Sequence, residues 1–369
     1  MAKIAIYNLT TTTKAGGVET FVWGIARGLA TLGHEVHIYG GKSNDNFPET
    51  DGVTVFTYPY LNRELIPFVG SRLRKFIERL SFAFFAISPL IKRSYDIIYI
   101  HKSFDLPAAL YIRLRTGARV FFHSHGTEFF PGFGSLVRRV DKFFSCSQFN
   151  AASVEKRTGI NPVVIYNGVD TDFFKPSEPD ENFVKQYCSH GEKILITVCR
   201  LVGWKGVQYA IAALPEILTK HRVKYLIIGD GEFRKSLERK AQDLKVDGDV
   251  VFLGKIANKD MPLYYHLASV AVYPSVADET FGISIAEAMS CGVPVVATRV
   301  GGIPEVLSDD AGVLIPPRDE HALGSAVNAL LSDSSLAAST GKNGRQRCLD
   351  NFSWNTVTDR FDKEAQISG

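Results

Sequence analysis

Two glutamates, Glu279 and Glu287, flank a short segment whose backbone is suited to binding an anion. A predicted strand runs into this segment and a helix is expected to begin near Gly282. The backbone N–H groups of Phe281, Gly282 and Ile283 then lie at a helix N-terminus, where negative charge is stabilised. Carboxylates beside an anion site are unfavourable unless the same ligand also has hydroxyl groups that donate hydrogen bonds to them. A sugar nucleotide carries both groups, whereas the alternative is that Glu287 is an exposed helix residue and Glu279 a loop charge.

A second phosphate-suited element precedes this one in the chain. Arg200 ends a predicted strand, Lys205 follows a short turn that contains a glycine, and a helix is expected to begin near Gly206. The planar fork of an arginine and the point charge of a lysine together suit a diphosphate. The alternative is two solvated charges at a strand end. The pattern G-x-x-x-x-G-K-[ST] does not occur, which excludes a P-loop ATPase.

Histidines follow two of the predicted strands in the first half. His125 lies in the run His123-Ser124-His125-Gly126, and His101 ends an earlier strand. A histidine at the carboxyl end of a strand is a candidate to contact a ligand, and the alternative for His101 is a surface position. A metal site at His123 and His125 is a competing interpretation, but the sequence shows no accompanying cluster of Cys and His ligands.

A pair of glycines, Gly16 and Gly17, leads into the first predicted helix. Glycine permits close backbone approach to a phosphate or an acceptor, and the helix start favours an anion. The alternative is a simple turn. The pattern G-x-G-x-x-G is not matched and no acidic residue suited to a dinucleotide ribose follows, which argues against a nicotinamide enzyme.

Strand and helix patterns alternate along the whole chain, which indicates parallel sheets covered by helices. A polar, proline-containing stretch at 175–182 separates two such series. We therefore predict two Rossmann-like α/β domains, 1–175 and 176–351, that place ligands at the carboxyl ends of their strands and face a central cleft. The predicted strands are 4–9, 34–39, 54–58, 97–101, 119–123, 142–146 and 163–166 in the first half, and 194–198, 225–229, 250–253, 270–273, 295–298 and 312–315 in the second.

Composition limits the class of protein. The chain has 369 residues, of which 45% are hydrophobic and 22% charged, the profile of a globular protein of about two domains. The net charge of +3 gives no indication of a nucleic-acid partner. Five cysteines cannot all pair and none forms a C-x-x-C motif, and no signal peptide or membrane-spanning run is evident. These features predict a cytoplasmic protein.

Residues 71–93 combine basic and aromatic side chains in a helical pattern. Such a helix suits an anionic membrane surface, and the alternative is a helix that covers the sheet and turns a basic face to solvent.

The combined motifs resemble glycosyltransferase family 4 and its GT-B fold. The resemblance rests on the E-x7-E pair, the Arg200 and Lys205 element, and three glycine-containing runs: Asn167-Gly168-Val169-Asp170, Gly229-Asp230-Gly231-Glu232 and Gly301-Gly302-Ile303-Pro304-Glu305. It extends over most of the chain and implies that a C-terminal helix at about 352–369 returns to the first domain.

The resemblance also implies roles for the candidate residues. Glu279 and His125 would contact the donor sugar, Glu287 the ribose, and Arg200 and Lys205 the diphosphate. Phe281, Gly282 and Ile283 would supply backbone amides, Lys255 and Ile256 would lie at the nucleobase, and Gly16 and Gly17 form the family's glycine-rich loop. The donor would be a UDP-sugar, with a GDP-sugar as the alternative. No metal is expected, and the Asp-x-Asp spellings at 170–172 and 247–249 are interpreted as chance.

The predicted function is therefore a retaining, metal-independent glycosyltransferase. It would move a hexose-type sugar from a nucleotide diphosphate to a hydroxyl of a carbohydrate or lipid-linked acceptor, in glycan, polysaccharide or glycolipid biosynthesis. Two alternatives stay open: an isomerase similar to nucleotide-sugar 2-epimerases, and a non-catalytic protein that binds nucleotide sugars.

Overall fold

The computed structural model describes residues 1–14, 16–43, 52–67, 70–188 and 190–367. The chain divides into two compact units. Unit 1 comprises Met1–Gly168 together with Trp354–Gly369, and unit 2 comprises Val169–Ser353. The structure divides the chain between Gly168 and Val169, a few residues before the boundary predicted after residue 175, and the last helix belongs to unit 1.

Each predicted strand is present, with bounds that differ from the expected ones by a few residues. The strands of unit 1 are β1 (Lys3–Tyr7), β2 (Glu35–Gly41), β3 (Val53–Tyr58), β4 (Ile97–Ile100), β5 (Arg119–Ser124), β6 (Lys142–Ser145) and β7 (Val163–Val164). Those of unit 2 are β8 (Lys193–Val198), β9 (Val223–Ile228), β10 (Val250–Gly254), β11 (Ala268–Tyr273), β12 (Val295–Thr298) and β13 (Val313–Ile315).

Helices follow most of these strands. In chain order they are α1 (Gly17–Thr31), α2 (Ser71–Arg93), α3 (Leu106–Thr116), α4 (Phe133–Val137), α5 (Gln148–Thr158), α6 (Glu181–Tyr187), α7 (Val207–Leu218), α8 (Arg234–Asp243), α9 (Met261–Leu267), α10 (Ile283–Ser290), α11 (Ile303–Val306), α12 (Glu320–Ser332), α13 (Ser334–Asn351) and α14 (Trp354–Ala365). Among the described residues, no helix combines the length and apolar composition needed to cross a bilayer.

Each unit contains one parallel sheet. The strand order is β3-β2-β1-β4-β5-β6-β7 in unit 1 and β10-β9-β8-β11-β12-β13 in unit 2. The order reverses between β1 and β4 in the first sheet and between β8 and β11 in the second. Ligands of open α/β sheets bind beyond the carboxyl ends of the strands at such reversal points. The topology therefore fixes one favoured binding edge in each unit.

The sheet of unit 1 is covered on both faces, as an all-parallel sheet requires. Ile4 and Ile6 point to the side of α1 and α14, whereas Ala5 and Tyr7 point to the side of α2 and α3. The last helix packs closely, since a Cβ added to Gly24 of α1 would lie 2.0 Å from the Trp354 ring. Within unit 1, α14 is thus an integral layer.

The core of unit 2 follows the same logic. Apolar side chains of α7, α8 and α12 pack on one face of its sheet around Tyr225, Ile227 and Val272. Because short loops connect these buried strands to the helices, the loops at the carboxyl edge are held at both ends by packed elements. This arrangement positions the candidate site.

Candidate active site

The candidate residues of unit 2 follow neighbouring strands at the carboxyl edge of its sheet. Arg200 and Lys205 lie after β8, Glu279 after β11, and Lys255 and Ile256 directly after β10. The strands β8 and β11 are the pair at which the strand order reverses. The sheet therefore brings together residues that are up to 79 positions apart in the sequence, at the edge where a ligand is expected.

Lys205 and Glu279 form an ion pair, and their side chains are only 16% and 18% exposed. The Lys205 ammonium lies 4.6 Å from the centre of the Trp204 ring, and the Arg200 guanidinium lies 6.0 Å from it. Burial raises the pKa of the Cys199 thiol to about 12, and the charges of Lys205, Glu279 and Arg200 all act on that thiol. Two cations and one carboxylate thus share one small region.

Glycines bring the backbone close to these side chains. Gly301 has a φ of +56°, and a Cβ there would lie 2.3 Å from the Glu279 carbonyl oxygen. The N–H of Gly302 donates to the same carbonyl at 2.7 Å. Gly206, with a φ of +73°, leaves no room for a side chain beside the Pro274 carbonyl. The run Gly301-Gly302, known from the sequence only as part of a family motif, therefore holds the backbone of Glu279.

The helix expected near Gly282 begins at Ile283 as α10, and Gly282 precedes it with a φ of +99°. The first-turn amides of an α-helix have no intrahelical acceptor, so this terminus has the character of an anion site. The Phe281 side chain is buried and packs edge-on against Phe352 at 5.4 Å between centroids. Its ring is a core group, and only its backbone is suited to the role given to it.

Glu287 is not the exposed helix residue of the alternative interpretation. Its carboxylate accepts a hydrogen bond of 3.1 Å from the Tyr265 hydroxyl. Burial raises the pKa of Glu287 to about 7, although the Tyr265 hydrogen bond opposes this shift. Tyr265 was not among the predicted residues, because it is fully buried in α9 and carries no motif. Ionisation of this carboxyl group is therefore costly unless a further polar partner stabilises its charge.

In unit 1, the carboxyl ends of β4 and β5 bring three histidines together: His123 lies within β5, and His101 and His125 directly follow β4 and β5. Nδ1 of His101 lies 3.2 Å from Nε2 of His125, and the rings of His123 and His125 stack at 4.4 Å. His101 is 3% exposed, so the alternative of a surface histidine is wrong. Phe21 of α1 lies against all three rings, with centroid distances of 5.6, 4.6 and 4.8 Å.

The cluster is held in the neutral state. Burial lowers the pKa of His101 and of His125 well below the usual value, and it lowers that of His123 to about 3. Nδ1 of His123 is 2.7 Å from the Tyr99 hydroxyl. Neutral imidazoles hydrogen-bond hydroxyl groups without adding charge. Neither Tyr99 nor Phe21 has a sequence signal beyond its place in an apolar pattern.

The competing metal interpretation gains a third histidine, because one nitrogen from each of the three rings lies within 4.8 Å of the others. However, the stacked rings of His123 and His125 are inclined by only 18°. The lone pairs of an imidazole lie in the ring plane, so those of two nearly parallel rings do not converge on one tetrahedral ion. The geometry favours packing of the rings against one another and against Phe21.

The glycine pair lies at the start of α1, which begins at Gly17 as predicted. A Cβ on Gly16 would lie 2.7 Å from a carboxylate oxygen of Glu19. Glu19 is buried and accepts a hydrogen bond from the Thr10 hydroxyl. A carboxylate of the chain itself thus lies beside this helix start, close to Gly16.

The two Asp-x-Asp spellings have local structural roles. Asp170 accepts hydrogen bonds from the backbone N–H groups of Asp172 and Phe173 in a turn. Asp249 pairs with Lys224 at 3.0 Å. One aspartate of each spelling therefore has a partner within the chain.

Both halves of the chain are similar to known glycosyltransferases. A model described as Glycosyltransferase Family 4 matches residues 15–173, and one described as Glycosyl transferases group 1 matches residues 179–347. A GDP-mannose-dependent α-(1-6)-phosphatidylinositol monomannoside mannosyltransferase of Mycolicibacterium smegmatis is 29% identical, over 93% of each chain. A phosphatidylinositol N-acetylglucosaminyltransferase subunit of Arabidopsis thaliana is 26% identical, over 94% of this chain and 77% of the relative.

Solved structures share the fold. Sucrose-phosphate synthase from Thermosynechococcus elongatus has a TM-score of 0.83 at 21% identity, covering 100% of this chain and 99% of its own. Anabaena HepE in complex with UDP-glucose has a TM-score of 0.78 at 22% identity, with both chains covered completely. The predicted two-domain α/β architecture is thereby confirmed. With one family model matched in each unit and relatives aligned over nearly its whole length, this chain belongs to glycosyltransferase family 4.

Proposed function

We propose that this glycosyltransferase is a retaining enzyme that moves a hexose from a nucleotide diphosphate sugar to a hydroxyl group of a lipid-linked glycan acceptor. The observation that carries the proposal is the ion pair of Lys205 with Glu279 beside Arg200, at the reversal point of the second sheet. The mannosyltransferase and N-acetylglucosaminyltransferase relatives, whose names specify phosphatidylinositol-based substrates, support the acceptor class.

In the proposed mechanism, unit 2 holds the donor. Arg200, Lys205 and the amides at the start of α10 bind the diphosphate, and Glu287 accepts hydrogen bonds from the ribose. Glu279, already fixed by its backbone and by Lys205, accepts hydrogen bonds from the sugar hydroxyls. As the bond from the anomeric carbon to the phosphate oxygen breaks, negative charge grows on the diphosphate and the two cations stabilise it. Their charge takes the part that a metal ion plays in other transferases.

The acceptor step needs no protein nucleophile. We propose that the acceptor oxygen bonds to the anomeric carbon on the face that the diphosphate leaves, while the acceptor proton passes to a diphosphate oxygen. His125 hydrogen-bonds the transferred sugar as a neutral imidazole. The products are the glycosylated acceptor and the nucleoside diphosphate, and the anomeric configuration is retained.

Transfer in the presence of EDTA should therefore proceed at its normal rate and give a product with the anomeric configuration of the donor. The check is NMR of the product, using the anomeric coupling constants, with a metal-dependent transferase as the EDTA control. An inverted product would contradict front-face displacement, and loss of transfer that Mg²⁺ restores would contradict charge neutralisation by Arg200 and Lys205.

Donor binding tests the proposal most directly. We expect a UDP-sugar to raise the melting temperature, because a ligand that binds only the folded state stabilises it. At a ligand concentration about 100 times the Kd the gain is about 2.7 kcal/mol. The screen includes UDP, GDP and ADP with their glucose, mannose and N-acetylglucosamine derivatives. A shift with GDP-mannose alone would move the assignment to that donor, and the absence of a shift with every nucleotide would refute the proposal.

The two alternative functions make different predictions. An isomerase converts the nucleotide sugar without an acceptor, and a non-catalytic binding protein gives a thermal shift but no product. Incubation of the identified donor with and without a mixture of membrane lipids separates the three functions. Consumption of donor only when lipid is present supports the transferase.

A membrane-surface location is part of the proposal, and α2 supports it. One face of α2 covers the sheet through Phe82, Ala86 and Leu90, which are fully buried. The opposite face exposes a stripe of apolar side chains at helical spacing: Leu73 (49%), Phe76 (42%), Leu80 (58%) and Phe84 (80%). Arg72, Lys92 and Arg93 at the two ends of the helix are exposed, whereas Arg79 is buried in an ion pair with Asp105. Both interpretations of 71–93 thus apply, each to one face, and we place the protein at the cytoplasmic face of an anionic membrane.

Replacing Leu80 and Phe84 together by glutamate should abolish sedimentation with vesicles that contain anionic lipid. Each side chain contributes about 1.5–3 kcal/mol when it is withdrawn from water, so the loss of both lowers affinity about a hundredfold or more. The matched control is Leu336→Glu, an exposed leucine of unit 2. If the wild-type protein does not bind anionic vesicles at low salt, the membrane assignment fails.

A further inference from the structure

A cavity in unit 1 is lined by none of the candidate residues described above. Its volume is about 330 Å³, and its walls include Arg72 from the first turn of α2, Phe129, Phe130 and Phe133 from the segment after β5, and Arg157 and Thr158 from the end of α5. The segment that forms its aromatic wall begins four residues after His125. The cavity is therefore built on the same loop that carries the histidine assigned to the transferred sugar.

The aromatic wall is rigid. The rings of Phe129 and Phe133 stack at 4.4 Å with planes inclined by 6°, and Phe130 meets Phe133 edge-on at 5.7 Å. Phe133 is buried, while Phe129 and Phe130 are partly exposed to the cavity side. A fixed apolar surface of this kind suits a hydrocarbon or prenyl chain better than it suits a sugar.

Two arginines also line the cavity. Within the part of the chain that the structure describes, neither Arg72 nor Arg157 forms an ion pair. The nearby carboxylate of Glu128 is engaged by Lys75. Nη1 of Arg157 donates to the Thr127 carbonyl at 2.6 Å, which fixes the guanidinium while its other N–H groups stay available to an oxyanion. Two arginine forks over a phenylalanine wall form a site for a phosphate that carries an apolar chain.

One residue that lines the cavity is adjacent in sequence to the apolar stripe of α2. Arg72 immediately precedes Leu73, the first exposed apolar residue of that stripe. A lipid whose chain lies along α2 would bring its headgroup to the cavity mouth, where the charges are opposite in sign.

We propose that this cavity binds the phosphate group of a lipid-linked acceptor, with Arg72 and Arg157 on the phosphate and the three phenylalanines against the adjoining chain. The inference rests on the proposed transferase function and specifies its acceptor: an amphiphile with a phosphate monoester, diester or diphosphate next to the glycan that is extended. Uncharged glycolipids and free sugars are then poor acceptors.

Octyl phosphate below its critical micelle concentration is the probe, because no membrane is present to bind α2. Isothermal titration calorimetry on the full chain should show octyl phosphate binding at least tenfold more tightly than octyl glucoside and than inorganic phosphate. Arg72→Gln and Arg157→Gln should each weaken octyl phosphate binding about tenfold, and Phe130→Ala should weaken it without changing the affinity for inorganic phosphate. Lys92→Gln, an exposed cation at the other end of α2, is the matched control and should bind like the wild type.

Equal binding of octyl phosphate and octyl glucoside, or unchanged octyl phosphate binding by both arginine variants, would overturn the proposal. Inorganic phosphate binding as tightly as octyl phosphate would also overturn it, because the site would then serve a free anion. Since Arg157 also contacts the backbone, Arg157→Lys keeps the charge without the fork and should bind with intermediate affinity if the fold is intact. The nucleotide thermal shift is measured on the same variants: its absence in the wild type refutes the donor assignment, whereas its presence without octyl phosphate binding refutes the acceptor site alone.

Discussion

Replacing Lys205 by alanine should lower kcat by a factor of about 10² to 10³, the loss typical of removing one group that stabilises transition-state charge. The reason is twofold. The ammonium that would balance the departing diphosphate is lost, and the partly buried carboxylate of Glu279 loses its partner and then repels the same phosphate groups. The KM for the donor should rise less than kcat falls, because the charge on the leaving group grows in the transition state.

The repulsion can be separated from the loss of the cation. The double variant Lys205→Ala with Glu279→Gln should lose less activity than the two single losses multiplied together, because residues in contact are not additive. Lys235→Ala, an exposed lysine on α8 in the same unit, is the matched control. Circular dichroism spectra and melting temperatures are measured to check that each variant is folded. Near-normal transfer by the folded Lys205→Ala variant would contradict the role given to this residue.

Replacing His125 by alanine should lower kcat about a hundredfold while the nucleotide thermal shift stays as in the wild type. The imidazole is assigned to the transferred sugar, and the residues assigned to the nucleotide all belong to unit 2. Because burial holds the pKa of His125 well below the usual value, the imidazole is already neutral at pH 8 and stays neutral at pH 6. The wild-type kcat should therefore show no titration step near 6.5 that the His125→Ala variant removes.

Two further variants test whether the loss of activity is specific to His125. His101→Asn removes the ring whose Nδ1 lies 3.2 Å from His125 and should reduce kcat less than His125→Ala. His321→Ala, a histidine with an 88% exposed side chain in unit 2, is the control and should leave kcat unchanged. A wild-type rate in folded His125→Ala would remove this residue from the mechanism, and a large change in nucleotide binding would move its role to the donor.

Much of the proposed donor site was predictable because its residue types lie close together in short segments of the sequence. A strand, a glycine turn and a helix start occupy consecutive positions, so Arg200, Lys205 and the beginning of α10 could be located from the order of residue types. The period of the apolar residues fixed the strands for the same reason, since a buried parallel strand and an amphipathic helix differ in their spacing.

The partners of these residues were not predictable. Tyr265 reaches Glu287 across 22 positions, and Gly302 supports Glu279 across 23, and neither contact leaves a trace in the local pattern. The same holds for His101, which looked like a surface histidine at a strand end and is buried against His125. These contacts arise only when loops from non-consecutive strands meet at one edge of a sheet.

The sequence by itself determined the two α/β domains, the candidate residues that follow the strands and the amphipathic character of α2, because each depends on spacing along the chain. Tertiary structure alone decided that Lys205 pairs with Glu279, that three histidines cluster with the rings of His123 and His125 stacked, and that Arg72 and Arg157 line an aromatic cavity. Burial and charge at these sites depend on which side chains surround a group in space, and strand order, rather than chain order, sets those neighbours.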